Sequence, residues 1–72
     1  MPHIAVMLYP GRDDATKQKI AQVVHAALAD ELKMPKEAVS VTVAEYAPDT
    51  FVSEVNRRFE KKDLYISSDY IK

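Results

Sequence analysis

The most distinctive chemistry in this 72-residue chain is offered by position 2. Removal of Met1 would leave Pro2 with a free secondary amine, the only such group the chain can offer. An unperturbed α-amine has a pKa of about 7.7–8.0, close to ideal for moving protons at neutral pH. Burial of the cation in an apolar pocket, or a nearby Arg, lowers it further. The ring also fixes the direction of the lone pair, so a free Pro2 is a candidate general base. The plain alternative is a Pro that merely opens a strand. Arg12 offers a carboxylate a charge-assisted, bidentate contact, or is a surface Arg beside a turn. Glu54 is a carboxylate whose place near the start of a second helix suits the helix dipole. His3 adjoins Pro2 but points to the opposite face of a regular strand, which suggests a structural role.

The elements that must position these residues are legible from periodicity. Residues 2–9 read as a strand with Ile4, Val6 and Leu8 on one face and His3, Ala5, Met7 and Tyr9 on the other. Both faces are mostly apolar, as in a strand covered on two sides. Pro10-Gly11 is turn chemistry. A helix over 14–33 follows, capped by Asp13, with Asp14 at the positive end of its dipole. Ile20, Val23, Val24, Ala27, Leu28 and Leu32 form its apolar stripe, with His25 at the edge. Glu31 falls inside the stripe and either snorkels to water or meets a partner in a neighbouring subunit.

Met34-Pro35 stops the helix, and residues 35–38 can make one short turn. Residues 39–45 then alternate with period 2, Val39, Val41 and Val43 against Ser40, Thr42 and Ala44. Strand, long helix, strand is a β-α-β unit with parallel strands and a right-handed crossover. Asp49 or Thr50 can cap a second, shorter helix reaching about Lys62, with Phe51, Val52, Val55 and Phe59 apolar. Arg57, Arg58, Lys61 and Lys62 at its end complement the dipole. Leu64-Tyr65-Ile66 and Tyr70-Ile71 have β character and suggest a short C-terminal β segment, an edge strand of this chain or one lent to a neighbouring chain. The fold class expected is α/β (α+β), one domain over residues 1–72.

Composition narrows the field. A core this small supplies roughly 3–5 kcal/mol at most. There are no cysteines, so neither a disulfide nor a Cys-based metal site can help. Yet 47% of residues are hydrophobic, more than one small core easily hides. One helix on two strands also leaves a sheet face and both edges bare. Self-association, as a homodimer or hexamer, is the natural remedy. A net charge of −1 and a pI near 6.1 argue against a nucleic-acid binder. No apolar run approaches the roughly 18 residues that span a membrane. Pro and His occupy the place of a basic signal-peptide n-region, so a cytoplasmic location is expected.

Taken together, several features resemble the tautomerase superfamily, in particular its short 4-oxalocrotonate tautomerase-like members. They are Met1-Pro2 opening a strand, Gly11-Arg12 closing it, a capped helix of fitting length, Val-Ser-Val-Thr-Val-Ala-Glu as second strand, and Phe51 after a turn. The resemblance covers most of residues 1–60. It implies removal of Met1 and keto–enol isomerisation of a 2-oxo or 2-hydroxy (enol) carboxylic acid, with Pro2 shuttling the proton. It implies that Arg12 binds a substrate carboxylate, often from a neighbouring subunit, and that Phe51 keeps the pocket apolar. It implies no metal or organic cofactor. The best-studied members carry a second Arg on the second strand, where this chain has Ser40. A Ser hydroxyl donates one hydrogen bond but no charge, so a mono-acid enol of the phenylpyruvate type fits better than a diacid. Two alternatives remain: a hydratase- or dehalogenase-type activity using Glu54, and a non-catalytic oligomeric binding module.

Overall fold

The computed structural model describes residues 1–69. Strand β1 (His3–Leu8) leads through helix α1 (Asp14–Leu32) and a 3-10 turn (Lys36–Ala38) to strand β2 (Ser40–Glu45). Helix α2 (Pro48–Arg58) and a second 3-10 turn (Lys61–Asp63) follow. β1 and β2 pair in parallel, from His3 opposite Ser40 to Leu8 opposite Glu45. The ladder extends at both ends: Ser40 N–H donates to the Pro2 carbonyl (3.2 Å) and Tyr46 N–H to the Leu8 carbonyl (2.8 Å). The β-α-β unit and the second, shorter helix of the expected α+β class are therefore both present. Among the described residues no helix is long and apolar enough to cross a membrane.

α1 forms where its signals lie. Asp13 is extended, and its carboxylate accepts the Thr16 N–H at 2.9 Å. Hydrogen bonding from Thr16, side chain first and backbone second, holds the Asp13 carboxyl below its usual value. At the other end Lys33 takes a left-handed conformation (φ 55°), and its N–H turns back to the Ala29 and Asp30 carbonyls. Pro35 follows, where no helix can continue.

The face that α1 buries differs from the expected stripe. Ile20, Val24 and Leu28 are partly buried, but Ala21, His25 and Ala29 join them, Ala29 being 1% exposed. Val23 (61% exposed), Ala27 and Leu32 (48%) stay outside, and Glu31 with them. The reason is twofold. Small side chains at 21 and 29 let the helix approach the sheet closely. His25 is drawn inward by two backbone carbonyls: its Nε2 lies 2.8 Å from Lys36 O and 2.9 Å from Val39 O. Both partners only accept, so Nε2 carries the proton. Lys17 Nζ reaches Glu45 Oε1 at 3.4 Å, which marks the Ile4, Val6, Val41 and Val43 side of the sheet as the one α1 covers.

α2 starts and stops differently from expectation. Its N-cap is Ala47 without a side-chain bond, and Pro48 at the first helical position has no N–H that would need an acceptor. It ends at Arg58, not Lys62. Glu60 and Asp63 form a reciprocal capping box, with Glu60 N–H donating to Asp63 Oδ2 at 2.9 Å, which starts a separate turn. The expected β character of residues 64–66 is not realised either. Among the described residues the sheet has two strands, and Tyr65 (94% exposed) and Ile66 (89%) lie in solvent outside it. The remaining part of that expectation, Tyr70-Ile71, lies outside the described residues.

The molecule measures 36 × 32 × 18 Å, a slab about one sheet and one helix thick. Among the described residues only Ala29 and Val39 are buried. The accessible surface is 5750 Å², against about 4,500 Å² for a typical folded monomer of this mass.

Candidate functional site

The sequence-selected residues fall into two groups at opposite ends of the strand pair. Pro2 and Ser40 share one end, joined by the bond from Ser40 N–H to the Pro2 carbonyl. Pro2 is half-buried, and Met1 before it is fully exposed. With Met1 attached, the Pro2 nitrogen is an amide without a basic lone pair; a base at this position needs Met1 removed.

Arg12 and Phe51 belong to the other end. After β1, Gly11 takes φ +125°, a conformation side chains disfavour, with open space where a Cβ would stand. The turn brings Arg12 back, and its guanidinium donates to the Tyr9 carbonyl at 3.2 Å. The Tyr9 ring meets Phe51 edge to face, with centroids 5.1 Å apart and planes at 89°. Arg12, Tyr9 and Phe51 thus form one corner. Six residues of β1, rising about 3.3 Å each, put it roughly 20 Å from Pro2. A single chain does not bring Pro2 and Arg12 together.

Glu54 also belongs to the far end. Its carboxylate accepts from Arg57 (2.9 Å) and from Arg58. Arg58 also donates to the Tyr46 hydroxyl (3.2 Å) and packs over the Tyr46 ring at 5.4 Å. Hydrogen bonds from Arg58 first, and Arg57 second, hold the Glu54 carboxyl below its usual value. The same pairing raises Arg58. A carboxylate so stabilised is a poor acceptor of a proton from water. The account that first favoured Glu54 at a helix start is also incomplete, because its partners are the cations one turn ahead.

Two polar residues do more than their sequence context foretold. His25 ties α1 to the chain leading into β2. His3 lies on the sheet face away from α1, where it binds the hydroxyls of Ser40 (2.7 Å) and Thr42 (3.1 Å). The alternation of both strands was the available signal, since it put His3 on one face of its strand and Ser40 and Thr42 on one face of theirs. The register was still needed to bring them together. An open groove of ≈ 490 Å³ lies elsewhere, between Val55, Phe59, Glu60 and Leu64. It borders the second 3-10 turn, where the Glu60 and Asp63 carboxylates each accept the other's backbone N–H. Among the described residues, no three His, Asp or Glu side chains gather as metal ligands.

Comparison with known proteins adds one finding. The sequence matches the tautomerase enzyme family over residues 2–58, from Pro2 to the last residue of α2. No curated protein and no solved structure matched it. The match spans well over half of the chain, which belongs to the tautomerase family.

Proposed function

We propose that this tautomerase-family protein is a cofactor-independent keto–enol tautomerase of a 2-oxo/2-hydroxy (enol) carboxylic acid, with Pro2 as its base after Met1 is removed. One coincidence carries the reading: the family match begins at the residue that opens β1 and accepts the first ladder bond from β2. The exposure of Met1 leaves it open to a processing enzyme.

In the proposed reaction the free Pro2 amine takes the enol hydroxyl proton as the carbonyl forms. The C=C electron pair then accepts that proton from the secondary ammonium at the adjacent carbon. Nothing is gained or lost, so no co-reactant is needed. Arg12 holds the substrate carboxylate, Phe51 with Tyr9 supplies an apolar wall, and Ser40 donates a hydrogen bond. With Arg12 the one guanidinium assigned to the substrate, a mono-acid enol of the phenylpyruvate type is the class favoured.

The reading requires a second copy of the chain. Pro2 and Arg12 lie at opposite ends of one strand pair, and a two-fold axis brings unlike ends of two copies together. The surplus surface exposed by one chain fits that need. A homodimer would suffice; a hexamer would cover more. The protein would act in the cytoplasm, on a small acid, with neither nucleic acid nor membrane as partner.

The test begins with the intact mass of protein from its own host, which must lack Met1. Phenylpyruvate enol-to-keto conversion is then followed with Pro2→Ala as control. We expect a loss of roughly 10²–10⁴-fold, the usual worth of a positioned base. Undiminished turnover would remove Pro2 from the chemistry and leave an assembly module as the better account.

A further inference from the structure

On the sheet face opposite α1, three exposed side chains join into one polar cluster. His3 Nδ1 lies 2.7 Å from Ser40 Oγ, and His3 Nε2 lies 3.1 Å from Thr42 Oγ1. The imidazole is engaged at both nitrogens. By register, the same face of the two strands continues only with Ala5, Met7 and Ala44. The cluster therefore stands at the Pro2 end of an otherwise apolar surface.

Counting protons shows what this cluster can bind. A neutral imidazole has one N–H and one accepting nitrogen. One of the two hydroxyls must then spend its hydrogen on the ring, and only the other can donate to a third group. In the imidazolium both nitrogens donate, and both hydroxyl oxygens accept from the ring. Both O–H bonds are then turned away from it. Protonation of His3 thus doubles the outward donors and places a positive charge behind them. Ser40 and Thr42 are two strand residues apart, which puts their hydroxyls about 7 Å from one another. The oxygens of one small 2-oxo carboxylate, each at a hydrogen-bond distance of about 2.7 Å, bridge such a gap.

We propose that His3, Ser40 and Thr42 form a proton-gated subsite for the 2-oxo end of a small acid, whose carboxylate the cluster shares with Arg12 of the second copy. The hydroxyls touch the ligand, and His3 acts through them as a positioning residue and source of charge. This rests on the tautomerase reading for its choice of acid. The Pro2 amine of the processed chain adjoins His3 in sequence, and His25, Lys36 and Glu37 stand at the same end of the sheet, on α1 and on the turn into β2. Lys17 and Glu45 meet on the α1 side of the sheet, and Glu54, Arg57, Arg58 and Tyr46 gather at the far end.

The probe is 3-phenylpropanoate, a monocarboxylate that lacks the 2-oxo group and cannot turn over. Its binding to the processed full-length protein is measured calorimetrically, in buffers of different ionisation heat, across the histidine range of about pH 5 to 8. We expect proton uptake on binding and roughly tenfold weaker affinity at the alkaline end, the scale of one lost charge-assisted contact. His3→Gln keeps hydrogen bonds to the hydroxyls but not the charge, and should abolish both the proton uptake and the pH dependence. Ser40→Ala and Thr42→Val should each weaken binding several-fold at acid pH. Wild-type proton uptake and affinity in His3→Gln would overturn the inference. Should that variant fail to fold, the ring resonances of the wild type decide: 3-phenylpropanoate must shift those of His3 and leave those of His25 in place. The two proposals fail separately. Loss of turnover in Pro2→Ala with no His3 response sinks the subsite alone. A full His3 response with undiminished Pro2→Ala turnover sinks the tautomerase reading and leaves an anion site.

Discussion

The two ends of the β1–β2 pair are built from opposite chemistry. At one end stand Pro2, two hydroxyls and an imidazole, none of them a permanent cation. At the other stand the permanent cations Arg12, Arg57 and Arg58 with the aromatic rings of Tyr9, Phe51 and Tyr46. About 20 Å separates them, twice the Debye length of about 10 Å in 0.1 M salt. Across that gap Arg12 cannot lower the pKa of an amine or share a small ligand with it. The lesson is that one chain carries the parts of a proton-transfer site without assembling them.

The sharpest way to break this comparison is to mix two impaired variants and assay them at substrate well below KM. Pro2→Ala and Arg12→Ala, co-refolded in equal amounts, should recover about a quarter of wild-type turnover if each site takes one residue from each chain of a two-fold dimer. No recovery would mean that both residues serve from the same chain, and the separation seen here would have to close by another route. Alone, Arg12→Ala should raise KM by roughly 10- to 100-fold, as expected for loss of a charge-assisted pair, with a smaller change in kcat.

His25→Leu tests the scaffold rather than the site. It strips the Lys36 and Val39 carbonyls of their donor, and Val39 is one of the two buried residues among those described. A cost of about 1–3 kcal/mol in urea unfolding is expected. Turnover of the folded fraction should persist. A neutral result would mean that water replaces the imidazole without penalty.

The smallest effect concerns acid. The folded-state carboxyl of Glu54 is held below its ordinary value of 4.5 by Arg58 and Arg57. Its contribution is therefore complete above that ordinary value and fades as pH falls through the lower folded value. Between about pH 5 and pH 3, α2 should fray before the β-α-β unit does, with the C-terminal turn of α2 first. The pair is exposed, so the effect is slight. Residue-resolved backbone chemical shifts would register it, and simultaneous loss of both regions would contradict the order proposed.

Much of this was readable from residues alone. Alternation along 39–45, turn chemistry at Pro10-Gly11 and the Asp13 cap each rest on a local interaction, so a single sequence displays them. The β-α-β order follows, because parallel strands demand a crossover. The C-terminal half was harder to read, for a reason visible in its residues. Phe59-Glu60 breaks α2 through a capping box four residues short of Lys62, and basic residues on both sides of the break disguised it. Leu64-Tyr65-Ile66 has strand propensity but no edge to pair with, and propensity without a partner makes no strand.

Sequence by itself determined that Pro2 opens the first strand, that a long helix returns the chain parallel to it, and that apolar residues outnumber the places one small core can offer. It also determined the family, since the order and spacing of these features run through residues 2–58. Tertiary structure alone decided which face of α1 is buried, because two carbonyls near β2 draw His25 inward. It decided that Ser40 and Thr42 meet His3, because register is a relation between strands and not a property of either one. And it decided that Pro2 and Arg12 stand at opposite ends, because the rise of an extended strand is fixed by the backbone and no side chain can shorten it.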